Sequence, residues 1–333
     1  MKLLTITVPC YNSESYMEKC IDSLLPGGDR VEIIIIDDGS KDRTGKIADC
    51  YAEKYPNIVR VIHQENGGHG EGINVGLDNA TGKYFKVVDS DDWVSEDYLS
   101  FLDKLSQLDV DLLITNYYYQ HTDSKRDRSI CYKNALPVGR VFSWEDTKSF
   151  RPHQMLTIHS CTFRTEAMRK WTHRLPKHVF YEDNLMVYQT LPLVKKMYYM
   201  DIDLYRYWIG RPDQSVQKNV MMKRYMHQLQ VTELCFSSCH LDDISSARLK
   251  KYLVHELYLM FGISICYARL HKSDEADGNM ENMFAACRQF DEKWADHFRY
   301  HTTLWWICIP GKFGRKFAAF MYWFTNCFVI RFN

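Results

Sequence analysis

The stretch "VEIIIIDDGSKDRT", residues 31–44, decides how this chain folds. Val31 and Ile33–Ile36 form a nearly unbroken β-branched run. Such runs belong to strands buried on both faces, as in a parallel sheet. The run ends at Asp37, Asp38 and Gly39, where a turn is expected. Ser40 then offers an N-cap to a helix over "KDRTGKIADCYAEKY", residues 41–55. Upstream, "LLTITV" (3–8), closed by Pro9, reads as a strand. Residues 14–25 put Tyr16, Cys20, Ile21, Leu24 and Leu25 on one helical face, and "PGGD" stops that helix. Downstream, "IVRVIH" (58–63) is a strand, 72–80 a helix ended by Gly82, and "YFKVVD" (84–89) another strand. This alternation predicts an α/β fold with a mostly parallel central sheet and helices on both faces.

Ligands of such sheets bind at the C-terminal ends of the strands. Here those ends are Pro9–Asn12, Asp37–Ser40, Gln64–Gly72 and Asp89–Trp93, and all the unusual chemistry falls on them. In "DSDD" (89–92), carboxylates two apart suit Mg²⁺ or Mn²⁺. The alternative is an acidic helix N-terminus. Gly67 and Gly68 make either tight turns or a close backbone approach to a ligand at a helix start. The loop carries no Gly-Lys-Ser/Thr and no dinucleotide fingerprint. A haloacid-dehalogenase reading of "IIIIDDGS" fails because Ile36 stands where the nucleophilic aspartate should be. In "FYEDNLM" (180–186), Glu182 and Asp183 are either helix-capping acids or a general base in a semi-apolar pocket.

Composition narrows the classes. The chain has 333 residues, 46% hydrophobic and 25% charged, which is globular and not disordered. Forty-two basic and 42 acidic side chains cancel, so no global field argues for nucleic acid. Eleven cysteines at irregular spacing, with no C-x-x-C, suggest reduced thiols and not a disulfide or zinc framework. The N-terminus reads as a strand and not a leader, and no run reaches the ~18 apolar residues of a spanning helix. A cytoplasmic protein is therefore expected. Beyond Trp93 the pattern predicts a helix (95–107), a strand (111–120) and a polar excursion (121–135). A strand and helix capped near Thr165 follow (155–170), then a loop entering a helix (180–193) and mostly helix over 220–300.

"VPCYN", "IIIIDDGSKDRT", "QENGGHGEGINVGLDNATGKYFKVVDSDDW" and "YEDNLM", in this order, resemble the inverting glycosyltransferases of family 2, with the GT-A fold. The resemblance covers residues 1–215. It implies a catalytic domain there, with a nucleotide-sugar-binding half (1–93) and an acceptor half (94–215), followed by a helical region (216–333). It implies that Pro9, Tyr11, Asn12, Asp37, Asp38, Gly67, Gly68 and Asp89 bind a nucleotide sugar, most commonly of UDP. Asp91, with Asp89, would hold Mn²⁺ or Mg²⁺, and Asp183 would deprotonate an acceptor hydroxyl. Trp93, Asp92, Glu182 and Arg211 would meet sugar or acceptor; Arg211 and Gln214 lie in "YRYWIGRPDQSV" (205–216), which loosely resembles the loop that closes over the donor in relatives. The acceptor implied is a glycan or a lipid-linked glycan of surface polysaccharide or glycolipid synthesis. Ile73 stands where many relatives carry an arginine, so Lys86, Arg206 or Arg211 would have to serve the pyrophosphate. By strand alternation, Lys86 is equally readable as a salt-bridged structural lysine. The competing class is a non-catalytic nucleotide-sugar or carbohydrate-binding component of a membrane assembly. A nucleotidyltransferase would want a cationic loop after the first strand, and "PCYNSES" has none.

The tail, "LWWICIPGKFGRKFAAFMYWFTNCFVIRFN" (304–333), is aromatic and basic. As a helix from about residue 313, it aligns Phe313, Phe317, Phe320, Phe324 and Phe328, with Lys312, Arg315, Lys316 and Arg331 at its ends. It is too short to span a bilayer and fits the membrane interface, at the inner face of the cell membrane. A core or homo-oligomer interface is the alternative.

Overall fold

A computed structural model of the chain describes residues 2–122, 127–211, 214 and 217–324. It divides into two compact units, one of residues 1–148 and 156–209, the other of 149–155 and 210–333.

The first unit begins with β1 (Leu4–Cys10), α1 (Met17–Leu24), β2 (Val31–Asp37), α2 (Thr44–Lys54), β3 (Val59–His63), α3 (His69–Asp78) and β4 (Tyr84–Val87). Every residue of β1 and β2 is buried, as their β-branched runs require. Then come β5 (Trp93–Val94), α4 (Tyr98–Ser106), β6 (Leu112–His121), β7 (Arg128–Ile130), β8 (Val141–Phe142), β9 (Cys161–Arg164), α5 (Thr165–Met168), α6 (Glu182–Thr190) and β10 (Met197–Ile209). The strand order is β3-β2-β1-β4-β9-β6-β10-β5. β1 to β4 pair in parallel, as expected. β6 and β10 also pair in parallel over their length, so the sheet is mostly parallel, as expected; β9, antiparallel to both β4 and β6, makes it a mixed sheet. β5 pairs antiparallel with β10, setting Trp93 opposite Arg206 and the acidic turn beside that strand.

Two local expectations change. Ser40 does not cap α2. Its Oγ accepts the Asn12 N–H at 3.0 Å, and the helix starts at Thr44, whose N–H donates to Asp42 at 2.9 Å. α3 starts three residues earlier than its apolar pattern suggests, at His69. It crosses β1 so closely that a Cβ at Gly76 would fall 2.0 Å from Thr7 Oγ1.

The second unit is helical: α7 (Lys218–Lys223), α8 (Tyr225–Phe236), α9 (Ala247–His271), α10 (Asp274–Phe290), α11 (Glu292–Tyr300), α12 (Trp305–Cys308) and α13 (Gly311–Phe324). Ser246 caps α9 by accepting the Leu249 N–H. Phe261 on α9 stacks on Phe284 and Phe298, with centroids 5.4 and 4.9 Å away. Buried Arg269 donates to the carbonyls of Ile307 (3.0 Å) and Cys308 (2.7 Å) and pairs with Asp277 (2.7 Å). α9 is long and apolar enough to cross a membrane by length and composition, contrary to expectation. It is also the core helix of this unit, with 61% of that window buried.

Candidate active site

The site grows from the strand ends of the first unit. At the end of β2, Asp37 accepts the Ser40 N–H (3.1 Å) and meets His63 Nδ1 (2.9 Å). Burial opposes ionisation of Asp37, but Ser40 and His63 outweigh it and hold the carboxyl below its usual range. Asp38 turns the other way. Its carboxylate accepts Gln64 Nε2 (2.7 Å) and the N–H groups of Gly67 and Gly68 (2.8 Å each). The two glycines are therefore joined to Asp38, and their N–H groups are not aimed at a ligand. Gly68 is needed for its φ of +86° and because a Cβ would meet the His178 nitrogen at 2.9 Å. Pro9 lies under α3, against Gly72. Asn12, at φ 51°, accepts the Lys41 N–H, and Tyr11 is exposed.

The acidic turn after β4 separates its carboxyls. The Asp92 N–H closes the turn on the Asp89 carbonyl (3.0 Å). Asp92 is fully buried and accepts the Tyr205 hydroxyl (2.6 Å) and the Trp208 N–H (2.8 Å). Burial, then the charges of Asp91 and Asp89, push Asp92 well above the usual carboxylate range. A fully buried side chain is not placed to touch an acceptor. Asp91 is half-buried in the same turn. Trp93 is also half-buried, and Lys19 Nζ lies 3.0 Å from its ring centroid, so one face already carries a cation.

Asp89 has a cationic partner from outside the turn. His69, at the start of α3, reaches Asp89 Oδ1 through Nε2 (2.9 Å) and Glu182 Oε1 through Nδ1 (2.7 Å). Burial alone would discharge this ring, but the two carboxylates outweigh it and hold His69 well above the ordinary histidine value. Asp89 gains in turn. Burial would raise it, yet the bond to His69 brings it down to about 2. Glu182 is 2% exposed, so it faces His69 and not an acceptor. Gly70 makes room for it, since a Cβ there would meet Glu182 Cγ at 2.8 Å. Beside it, Asp183 is raised to about 7, by burial first and then by Glu182. A carboxyl poised there can take a proton near neutral pH.

Asp89, Asp92 and His159 bring one ligand atom each within 4.8 Å of one another. His159 Nδ1 is buried without a hydrogen-bond partner, 3.9 Å from Asp89. Burial pushes this ring down to about 4, so it is a neutral imidazole with a lone pair to give. An orphaned nitrogen beside two crowded carboxyls fits a divalent cation, and the mixed N/O set suits Mn²⁺ better than Mg²⁺. This cluster contains Asp89 but not Asp91, a different donor set from the Asp89–Asp91 pair of the sequence reading.

The expected pyrophosphate cations are engaged elsewhere. Lys86 is buried and donates to the carbonyls of His159 (2.8 Å) and Cys161 (3.3 Å). It is structural, though held by carbonyls and not by a salt bridge, and burial lowers it to about 8. Arg206 lies over the Tyr118 ring and 4.0 Å from Glu96. Arg211 belongs to the second unit, where its N–H and that of Gly210 donate to Gln214 Oε1. Sequence reasoning missed His69, His159 and Tyr205. His69 stood between the glycines of "GGHGEG" and Tyr205 at the head of "YRYWIGRPDQSV", both stretches already singled out; His159 stood in neither.

Comparison with known proteins agrees with this architecture. The family described as Glycosyl transferase family 2 matches residues 5–170, about half of the chain. Glycosyltransferase GlyA of Streptococcus pneumoniae is 29% identical over 237 residues, 68% of this chain and 33% of its own length. The putative glycosyltransferase EpsH of Bacillus subtilis is 33% identical over 221 residues, 62% of this chain and 60% of its own. The chain thus spans less than two thirds of either relative. Among solved structures, S. aureus TarS 1–349 in complex with UDP superposes with a TM-score of 0.60 at 17% identity, over 91% of this chain and 92% of that one. The mannosyltransferase PcManGT from Pyrobaculum calidifontis, in complex with GDP-Man and Mn²⁺, gives 0.55 at 15%, over 98% and 87%. These likenesses show the fold, a GT-A-like mixed sheet followed by a helical region. On its sequence motifs, its family match and its fold, the chain belongs to glycosyltransferase family 2.

Proposed function

We propose that the protein is an inverting glycosyltransferase. It would move a sugar from a nucleotide-diphosphate donor, a UDP-sugar in the first instance, to a hydroxyl of a glycan or lipid-linked acceptor. The observation that carries this reading is Asp183, raised to about 7 next to the Glu182–His69–Asp89 chain. The acceptor oxygen attacks the anomeric carbon from the face opposite the diphosphate. Its proton passes to Asp183, and the carbon–oxygen bond to the diphosphate breaks with its electron pair. When bound, a divalent ion would offset the charge of the departing diphosphate. Asp89, Asp92 and His159 would hold it, with Asp91 in the same turn as a further oxygen ligand. Asp37, Asp38, Pro9, Tyr11 and Asn12 would form the nucleotide side, and Trp93 the sugar side. Residues 1–93 would form the donor half, 94–215 the acceptor half and 216–333 a helical region. Surface-polysaccharide or glycolipid synthesis at the cytoplasmic face of the membrane is part of the same proposal. TarS has also been solved in complex with UDP-GlcNAc, which supports a UDP-sugar as the first donor to try.

The test is turnover of UDP-sugars with and without Mn²⁺. Asp183→Asn should abolish transfer and spare donor binding, and Asp91→Ala should weaken metal-dependent donor binding. Full transfer by Asp183→Asn would remove Asp183 from the base role. Donor binding by calorimetry without turnover of any sugar would favour a non-catalytic binding component instead.

A further inference from the structure

In the second unit, α13 has two unlike faces. Gly314 and Ala318 point inward and are buried. A Cβ at Gly314 would fall 2.0 Å from the Ile309 carbonyl oxygen, so this face packs with no side chain between. The opposite face is aromatic, with Phe313, Phe320 and Trp323 at 54, 51 and 53% exposure. The aromatic surface runs on into α12. Trp306 lies 6.2 Å from Phe317, Phe317 6.3 Å from Phe320, and Phe320 6.1 Å from Trp323. Trp305 packs beside Trp306 at 4.7 Å. Exposed aromatic surface this continuous marks an interaction site.

Charge identifies the partner. From His297 to Asn333 the sequence contains no Asp or Glu. Arg315 is taken up by Asp274 and Asp277, and Arg299 by Glu281. Lys312 and Lys316 are exposed and, among the described residues, in no ion pair. By helical periodicity Lys316 falls between Phe320 and Trp323 around the axis, and Lys312 at the rim of that stripe. A second copy of the chain, docked through the same face about a two-fold axis, would bring lysines to lysines, and the nearby carboxylates of Asp274 and Asp277 are already paired with Arg315. An anionic lipid surface offers phosphates to the lysines and a boundary layer to the rings. One face small and buried and the other aromatic and exposed is the pattern of a helix lying in the plane of the interface.

We propose that the α12–α13 face docks this protein on an anionic bilayer, with its aromatic rings at the headgroup boundary and Lys312 and Lys316 at the lipid phosphates. The assay is co-sedimentation of the full chain with phosphatidylcholine vesicles, with and without phosphatidylglycerol. Binding should require phosphatidylglycerol and weaken with salt. Lys312→Glu with Lys316→Glu should lower it about thirtyfold or more, and Phe320→Ser with Trp323→Ser at least tenfold. These residues are exposed, and thermal melting would verify that both variants fold. Equal binding by wild type and variants would overturn the proposal. So would a dimer in sedimentation velocity that Phe320→Ser/Trp323→Ser dissociates while vesicles bind nothing. The docking surface does not depend on the catalytic assignment. Turnover on a soluble acceptor, measured in parallel, is expected to stay at the wild-type level in both variants.

Discussion

Replacing His69 with alanine removes the hydrogen-bonding partner that Glu182 and Asp89 share. Glu182 is 2% exposed and sits 2.7 Å from the ring. A hydrogen bond to a charged group contributes roughly 1.5–3 kcal/mol, and stranding a buried charge costs about 3–5 kcal/mol. The Asp89 arm is discounted because His69 is itself about a third exposed. The expected loss is about 3 kcal/mol, a fall in melting temperature of roughly 6–12 °C. The ring binds its proton more tightly in the folded state. Its contribution is therefore fully present below about pH 6.5, the unfolded imidazole value, and fades as pH rises through the higher folded value. Urea unfolding in EDTA at pH 6 and pH 9 tests both points, with the larger deficit expected at pH 6. A deficit below about 1 kcal/mol at pH 6, or the same deficit at both pH values, would refute the bridging role.

Three further outcomes are expected. Transfer should rise with pH through an apparent pKa near 7 as Asp183 ionises, and Asp183→Asn should remove this pH-dependent transfer, a loss in kcat of at least about 10²–10⁴-fold. In the second unit, burial raises Glu256 to about 8, so wild-type stability falls as pH climbs from ~4.5 toward that value. Glu256→Met should therefore melt higher than wild type at pH 8, with the gain shrinking at pH 5; a constant difference would contradict this. Gly76→Ala drives a methyl into Thr7, 2.0 Å away, and should cost about 1–3 kcal/mol in denaturant unfolding.

The parallel half of the sheet was legible because β1 and β2 are buried on both faces and must be β-branched throughout. β9 was not. It has four residues, and its place between β4 and β6 is set by pairing partners dozens of positions away. The start of α2 was misread because Ser40, an acceptable cap, is drawn to Asn12 by tertiary contact. In the site, the acids could be read from sequence, since carboxylates crowded at a strand end are conspicuous. Their neutralising partners could not. His69 and Glu182 are 113 positions apart, and His159 meets Asp89 only because β9 turns back beside β4. The glycine loop was read as a candidate ligand cradle because residue type alone cannot say where its N–H groups point.

Asp38, Gly67 and Gly68 have a consequence for how this loop can vary among descendants of the chain. The carboxylate serves three donors with two oxygens, so asparagine at 38 would turn an amide N–H₂ toward backbone N–H groups. A side chain at 68 would strike His178 and pull the second donor away. Either change breaks the same set of hydrogen bonds. The three positions are therefore expected to be inherited as a block, while the exposed Glu65 between them drifts freely.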